Sequence, residues 1–302
     1  MVFKLARKIF VRKRKRSYLG EDFSIVAESY RKAAEQGHAA SQYQLGSLYQ
    51  EGRGVRQDFF AAVSWYQKAA WQGHAASQYQ LGSLYQEGRG VRQDFFAAVS
   101  WYQKAAWQGH AASQYQLGTI YQKGRGIRQD FFAAVNWYQK AAWQGHAASQ
   151  YQLGSLYQEG RGVRQDFFVA VSWYQKAAWQ GHAASQYQLG SLYQEGRGVR
   201  QDFFAAVSWY QKAAWQGHAA SQYQLGTIYQ EGRGVRQDFF AAVSWYQKAA
   251  WQGHAASQYQ LGTIYQKGRG VRQDKFQAKE WFGKACDNGN QNGCDAYRTL
   301  NE

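Results

Sequence analysis

The chain repeats itself. From Ala39 onward the 36 residues AASQYQLGSLYQEGRGVRQDFFAAVSWYQKAAWQGH come round seven times with almost no change, starting at Ala39, Ala75, Ala111, Ala147, Ala183, Ala219 and Ala255. A unit this short cannot enclose a core of its own and must bury its apolar face against its neighbours, so the expected architecture is a solenoid. A length of 302 residues would otherwise suggest two globular domains; the period makes it one extended domain with a continuous spine. The chain has no proline and is 18% aromatic, which excludes disordered and collagen-like classes. No apolar run approaches the roughly 20 residues that cross a bilayer as a helix.

Each unit reads as a helical hairpin. Residues 39–50 form the first helix, with Leu45, Gly46, Leu48 and Tyr49 on one flank. A glycine inside a helix costs about 1 kcal/mol relative to alanine, so its return in every copy implies close approach by another helix. In EGRGVRQD, Gly52 and Gly54 supply left-handed turn positions, Val55 folds back between the helices and Asp58 caps the next helix. Residues 59–72 form the second helix, with Phe59, Ala62, Val63, Tyr66, Ala69 and Ala70 as its inward stripe and Trp65 widening it. Gly73 ends it, and His74 opens the turn into the next unit.

The ends differ from the middle. Residues 22–38 are a half-unit, because Asp22 lies one period before Asp58; Glu28, Arg31 and Glu35 stand where the array has Ser64, Gln67 and Trp71, as suits a cap facing water. Residues 39–290 hold the seven repeats, and 291–302 supply a short capping helix with Arg298 at the packing-glycine position. Residues 1–21 form a basic arm. Its first 16 residues carry eight Lys and Arg without an acid, half of the net charge of +16, and end in the run Arg12, Lys13, Arg14, Lys15 and Arg16. That run suits a solvated arm, a contact with an anionic membrane or nucleic acid, or a targeting remnant. It has no clear secretory signal pattern, which favours the cytoplasm and leaves periplasm or secretion open. Cys286 and Cys294 take the registers of Ala70 and Gln42; the terminal hairpin can bring them together, but their spacing does not fix the geometry.

The run LGSLYQEGRGVRQD followed by AAVSWYQKAAWQG resembles the Sel1-like repeat family, tetratricopeptide-like helical pairs with a longer loop. The resemblance covers residues 22–302 and rests on Leu45, Gly46, Tyr49, Gly52, Gly54, Val55, Asp58, Ala62, Trp65, Tyr66, Ala69, Ala70 and Gly73. It implies an all-α, right-handed α/α superhelical solenoid of seven full helix–loop–helix repeats with partial capping units. It also implies an adaptor or scaffold that binds proteins or peptides, with no shared chemistry, in bacteria as well as eukaryotes. Some bacterial members staple adjacent helices through cysteines, which implies a disulfide between Cys286 and Cys294; the other units lack sister cysteines, so both redox states stay open and mass with and without reductant distinguishes them.

Two surfaces are candidates for binding. The chain departs from the family pattern at Phe60 and Trp71, recurring as Phe96 and Trp107, Phe132 and Trp143, Phe168 and Trp179, Phe204 and Trp215, and Phe240 and Trp251. With Ser64 and Gln67 they share one helix face away from the inward stripe. They either cover seams between units or form an exposed aromatic interface for partner capture or weak self-association. On the first helix, Tyr43, Ser47 and Gln50 recur at positions by which related repeats line a concave groove, with Tyr79, Tyr115, Tyr151, Tyr187, Tyr223 and Tyr259 as the later tyrosines. These are expected to hold an extended peptide, the alternative being that the rings only pack against their neighbours.

Arg53 and Arg56 recur in seven loops and, with the basic arm, give an alternative reading as a nucleic-acid or anionic-surface binder; the interleaved Glu51 and Asp58 argue for a salt-bridged edge. His38, His74, His110, His146, His182, His218 and His254 lie one per unit, about a helix-packing distance apart, and have no second ligand nearby, so helix-start roles outrank metal binding. Asp58 has no paired acid or nucleophile, and GRG lacks the lysine and hydroxyl residue of a phosphate loop. The expectation is a non-enzymatic binding scaffold without metal or cofactor.

Overall fold

A computed structural model of the chain describes residues 19–300. The fold is all-α, a right-handed solenoid of helix–loop–helix repeats with sixteen helices among the described residues. Among the described residues it divides into two compact units, 19–144 and 145–300. In the first, α1 (Leu19–Glu35) is followed by the pairs α2 (Ala39–Glu51) and α3 (Phe59–Trp71), α4 (Ala75–Glu87) and α5 (Phe95–Trp107), and α6 (Ala111–Lys123) and α7 (Phe131–Trp143). The second holds α8 (Ala147–Glu159) and α9 (Phe167–Trp179), α10 (Ala183–Glu195) and α11 (Phe203–Trp215), α12 (Ala219–Glu231) and α13 (Phe239–Ala250), α14 (Ala255–Lys267) and α15 (Lys275–Asp287), and the capping helix α16 (Gln291–Thr299). Helix α1 starts before Asp22, the register position that precedes the helix in the full repeats. The basic run from Arg12 to Arg16 lies outside the described residues.

The caps explain where the helices begin and end. Asp58 accepts a hydrogen bond from the Ala61 N–H at 3.0 Å and starts α3. At its far end Gly73 turns left-handed, its N–H donates to the Ala70 carbonyl, and the His74 N–H donates to the Ala69 carbonyl. The same histidine then caps α4, its Nδ1 accepting from the Ser77 N–H at 3.3 Å. One residue thus closes one helix and opens the next.

Packing repeats with the caps. In α3, Ala62, Val63, Tyr66, Ala69 and Ala70 are buried, and Leu45, Gly46 and Leu48 face them from α2. The recurring glycine makes room for a ring of the approaching helix: a Cβ on Gly46 would stand 2.8 Å from Tyr66 Cδ1 and Cε1. The loop glycine joins neighbouring repeats, since a Cβ on Gly90 would run into the Phe59 carbonyl of the preceding repeat. Trp101, Trp173 and Trp281 complete the buried flank.

Polar groups are buried too, and among the described residues each buried side-chain polar atom except Gln230 Oε1 is paired. Gln78 is 4% exposed; its Nε2 donates to the Ala70 carbonyl at 3.1 Å and its Oε1 accepts from Gln108 Nε2 at 2.7 Å. This ladder ties successive hairpins together. At the last repeat Gln258 still donates to the Ala250 carbonyl at 3.0 Å and accepts from Asn288 at 3.1 Å. One step further the ladder positions are Cys286 and Cys294, which form a disulfide with Cα atoms 4.5 Å apart. A covalent bond takes the place of the glutamine hydrogen bond in this hairpin. Cross-linking so short a loop stabilises by about 2–3 kcal/mol, so reduction is expected to speed amide exchange across residues 291–299. Unchanged exchange there, measured by mass spectrometry with and without reductant, would argue against this role.

Candidate functional site

The aromatic rows stand in the open. Phe60, Trp71 and their ten equivalents through Trp251 are between 66% and 76% exposed. They do not fill the seams, because the buried positions 62, 63, 66, 69 and 70 turn the opposite side of the helix inward. The row also contains Phe276, which is 68% exposed and holds the Phe60 register in the last repeat; the same 36-residue spacing would have found it. The tryptophan row ends on acids, with Glu35 and Asp287 in that register before and after it.

Three of the exposed tryptophans lean on the next repeat. Trp71 meets Trp101 edge-on with centroids 5.6 Å apart, and Trp215 and Trp251 meet Trp245 and Trp281 in the same way at 5.9 and 5.8 Å. A lysine lies over each such pair. Lys104 Nζ is 4.1 Å from the Trp101 centroid and 5.1 Å from that of Trp71; Lys248 repeats this over Trp245 and Trp215 at 4.0 and 5.4 Å. Between the phenylalanine and tryptophan rows runs a strip of Ser64, Gln67 and Lys68 equivalents.

The first-helix stripe is engaged within the fold. Tyr43 is half-buried between Tyr66, at 5.8 Å, and His74, at 5.1 Å, and Tyr79, Tyr151, Tyr187 and Tyr223 repeat both contacts. Tyr115 lies 5.8 Å from Tyr138, and Tyr259 lies 5.6 Å from Phe282. Ser47 Oγ donates to Glu51 at 3.3 Å, and Gln50 Oε1 accepts the Tyr66 hydroxyl at 2.9 Å. Burial raises the Tyr66 hydroxyl, and those of Tyr102, Tyr138, Tyr174, Tyr210 and Tyr246, well above the ordinary phenol range, so all six act as neutral partners. None of these pairings showed in the sequence, where a glutamine on a helix reads as surface.

The loop edge is largely neutralised. Arg53 pairs with Glu51 at 3.0 Å, and the same contact joins Arg89 to Glu87, Arg161 to Glu159, Arg197 to Glu195 and Arg233 to Glu231. Lys123 and Lys267 replace the acid in the other two loops. Exposed Arg56 lines a shallow cleft of about 660 Å³ with Tyr49, Val55, Gln57 and Asp58, and the corresponding residues of the last repeat line one of about 530 Å³. An arginine and an aspartate line both. Among the described residues no three His, Cys, Asp or Glu side chains gather as metal ligands would, and no helix is long and apolar enough to cross a membrane.

The sequence pattern of the Sel1 repeat matches residues 30–38, 39–74, 75–110, 111–146, 147–182, 183–218, 219–254 and 255–290. The crystal structure of c5321, a protective antigen of uropathogenic Escherichia coli, is similar with a TM-score of 0.84 and 37% identity over 90% of this chain and 58% of that one. The chain therefore spans little more than half of that protein. A Sel1 repeat protein from Oxalobacter formigenes is similar with a TM-score of 0.77 and 35% identity over 95% of this chain and 83% of the other. No curated protein matches the chain in sequence.

Proposed function

The chain belongs to the Sel1 repeat family, a family of non-catalytic scaffolds, and from that premise we propose that it seats a protein partner on the second-helix face of its repeats, through the rows of Phe60 and Trp71. The observation that carries this is the exposure of twelve large aromatic side chains at the same two helix positions. Repeated exposed apolar side chains of this size mark interaction sites, and aromatic side chains dominate the centres of protein interfaces. The tyrosine, serine and glutamine stripe of the first helices supports peptide binding less well, since its polar groups already serve the fold. The Arg53 row supports an anionic partner less well for the same reason. The disulfide of the C-terminal hairpin supports residence in an oxidising compartment.

Replacing Trp107 and Trp143 together with glutamate is expected to leave the helical circular dichroism signal intact and to shift stability by no more than about 1 kcal/mol, because both side chains are exposed. A partner identified with the unaltered chain should no longer bind. Retained binding, coupled with loss after Tyr79→Ala and Tyr115→Ala, would move the site to the first-helix groove and overturn the proposal.

A further inference from the structure

Resting on that reading, we propose that the partner presents an acidic segment of helix width, seated between the phenylalanine and tryptophan rows with its carboxylates along the lysines. The charge of the face is one-sided. Lys68, Lys104, Lys140, Lys176, Lys212 and Lys248 lie on it, one per helix, and none of α3, α5, α7, α9, α11 or α13 contains an Asp or Glu. Among the described residues, the ion pairs fall on the loop arginines and the end caps, not on these lysines. Their ammonium groups are held by tryptophan rings at 4.0 to 4.2 Å instead. An aromatic ring fixes a cation in place without neutralising it, which leaves a preset row of positive charge for an anionic ligand.

The spacing of the rows selects the kind of anion carrier. Phe60 and Trp71 are 11 residues apart on one helix, about 16 Å at 1.5 Å per residue. The strip between them is polar and cationic, and an α-helix of about 10–12 Å diameter fits its width. A bilayer surface needs a continuous apolar face, which this strip interrupts. A second copy presenting the same face would set lysine against lysine. An acidic helix flanked by apolar side chains meets all three bands within either compact unit.

The test uses two labelled peptides and the full chain. One is a four-turn helix with a glutamate stripe between two leucine stripes; in the other, glutamine replaces every glutamate. By fluorescence anisotropy the glutamate peptide should bind at least about tenfold more tightly, with the gap closing as salt shortens the Debye length. Lys104→Gln with Lys140→Gln should remove that gap and leave the glutamine peptide unaffected, while Lys104→Arg with Lys140→Arg should keep it. Equal affinity for the two peptides, lost in the Trp107→Glu and Trp143→Glu variant, would overturn the acidic preference and spare the aromatic face. Binding of both peptides undiminished in that variant would overturn both. Failure of both peptides alongside tryptophan-dependent sedimentation with phosphatidylserine vesicles would assign the face to anionic lipid and overturn the inference.

Discussion

Gly154→Ala is expected to destabilise the chain by about 1–3 kcal/mol, although alanine is the better helix former by about 1 kcal/mol. The new Cβ would lie 2.6 Å from Cδ1 and Cε1 of Tyr174, a fully buried ring that has no open side to move into. Overpacking therefore outweighs propensity. Tyr174→Ala should cost more, about 3–5 kcal/mol, since it leaves a cavity and deprives Gln158 of the hydroxyl it accepts at 3.0 Å. Combining Gly154→Ala with Tyr174→Leu should cost less than the sum of the two single changes, because the narrower side chain relieves the clash. Urea unfolding midpoints decide the matter, and a higher midpoint for Gly154→Ala would show that the ring yields freely.

The second large effect is acid sensitivity from the repeated histidine caps. Burial holds His74, His110, His146, His182, His218 and His254 below the ordinary imidazole range, with neighbouring histidine charge adding to the effect at His110 and His218. Nδ1 of each accepts the N–H of the serine three residues on, which requires it to be unprotonated. Their folded pKa values lie below the unfolded one, so their stabilisation is complete above about pH 6.5. It is lost as pH falls from there towards the folded values, where the unfolded chain binds more protons than the folded one. Six such junctions act together, and Tm should fall by several degrees between about pH 7 and pH 5. The chain contains its own control: Asn290 stands in the same register and accepts from the Gly293 N–H at 2.9 Å. Replacing the six histidines with asparagine should preserve the caps and flatten the pH profile; an unchanged profile would place the acid sensitivity elsewhere.

Much of this architecture was legible because the period multiplies weak signals. A glycine in one helix is ambiguous, but the same glycine in seven helices is a packing site. The sequence pointed to an approaching helix at Gly46, which is α3, but did not show that the ring of Tyr66 fills the space. Phe60 and Trp71 could be placed off the buried stripe from helical spacing alone, whereas seam filling and full exposure differ only in how far neighbouring hairpins stand apart, which no spacing encodes. The Gln78 ladder was hidden for another reason. Its partners lie 8 and 30 residues away, and glutamine carries no hydrophobic mark of burial. With the ladder known, the cysteine positions stop being an oddity of the last repeat, since they are the two ends of one of its rungs.

The sameness of the rows has a consequence for how a partner is held. Within each compact unit three consecutive second helices offer the same phenylalanine, lysine and tryptophan, so a ligand that spans one repeat has three isoenergetic seats. It can step between them without losing its contacts, and the degeneracy alone raises its apparent association constant about threefold over a single seat. A longer ligand gives up that freedom and gains a contact with each repeat it covers. Such a surface measures the length of what it binds more sharply than its composition.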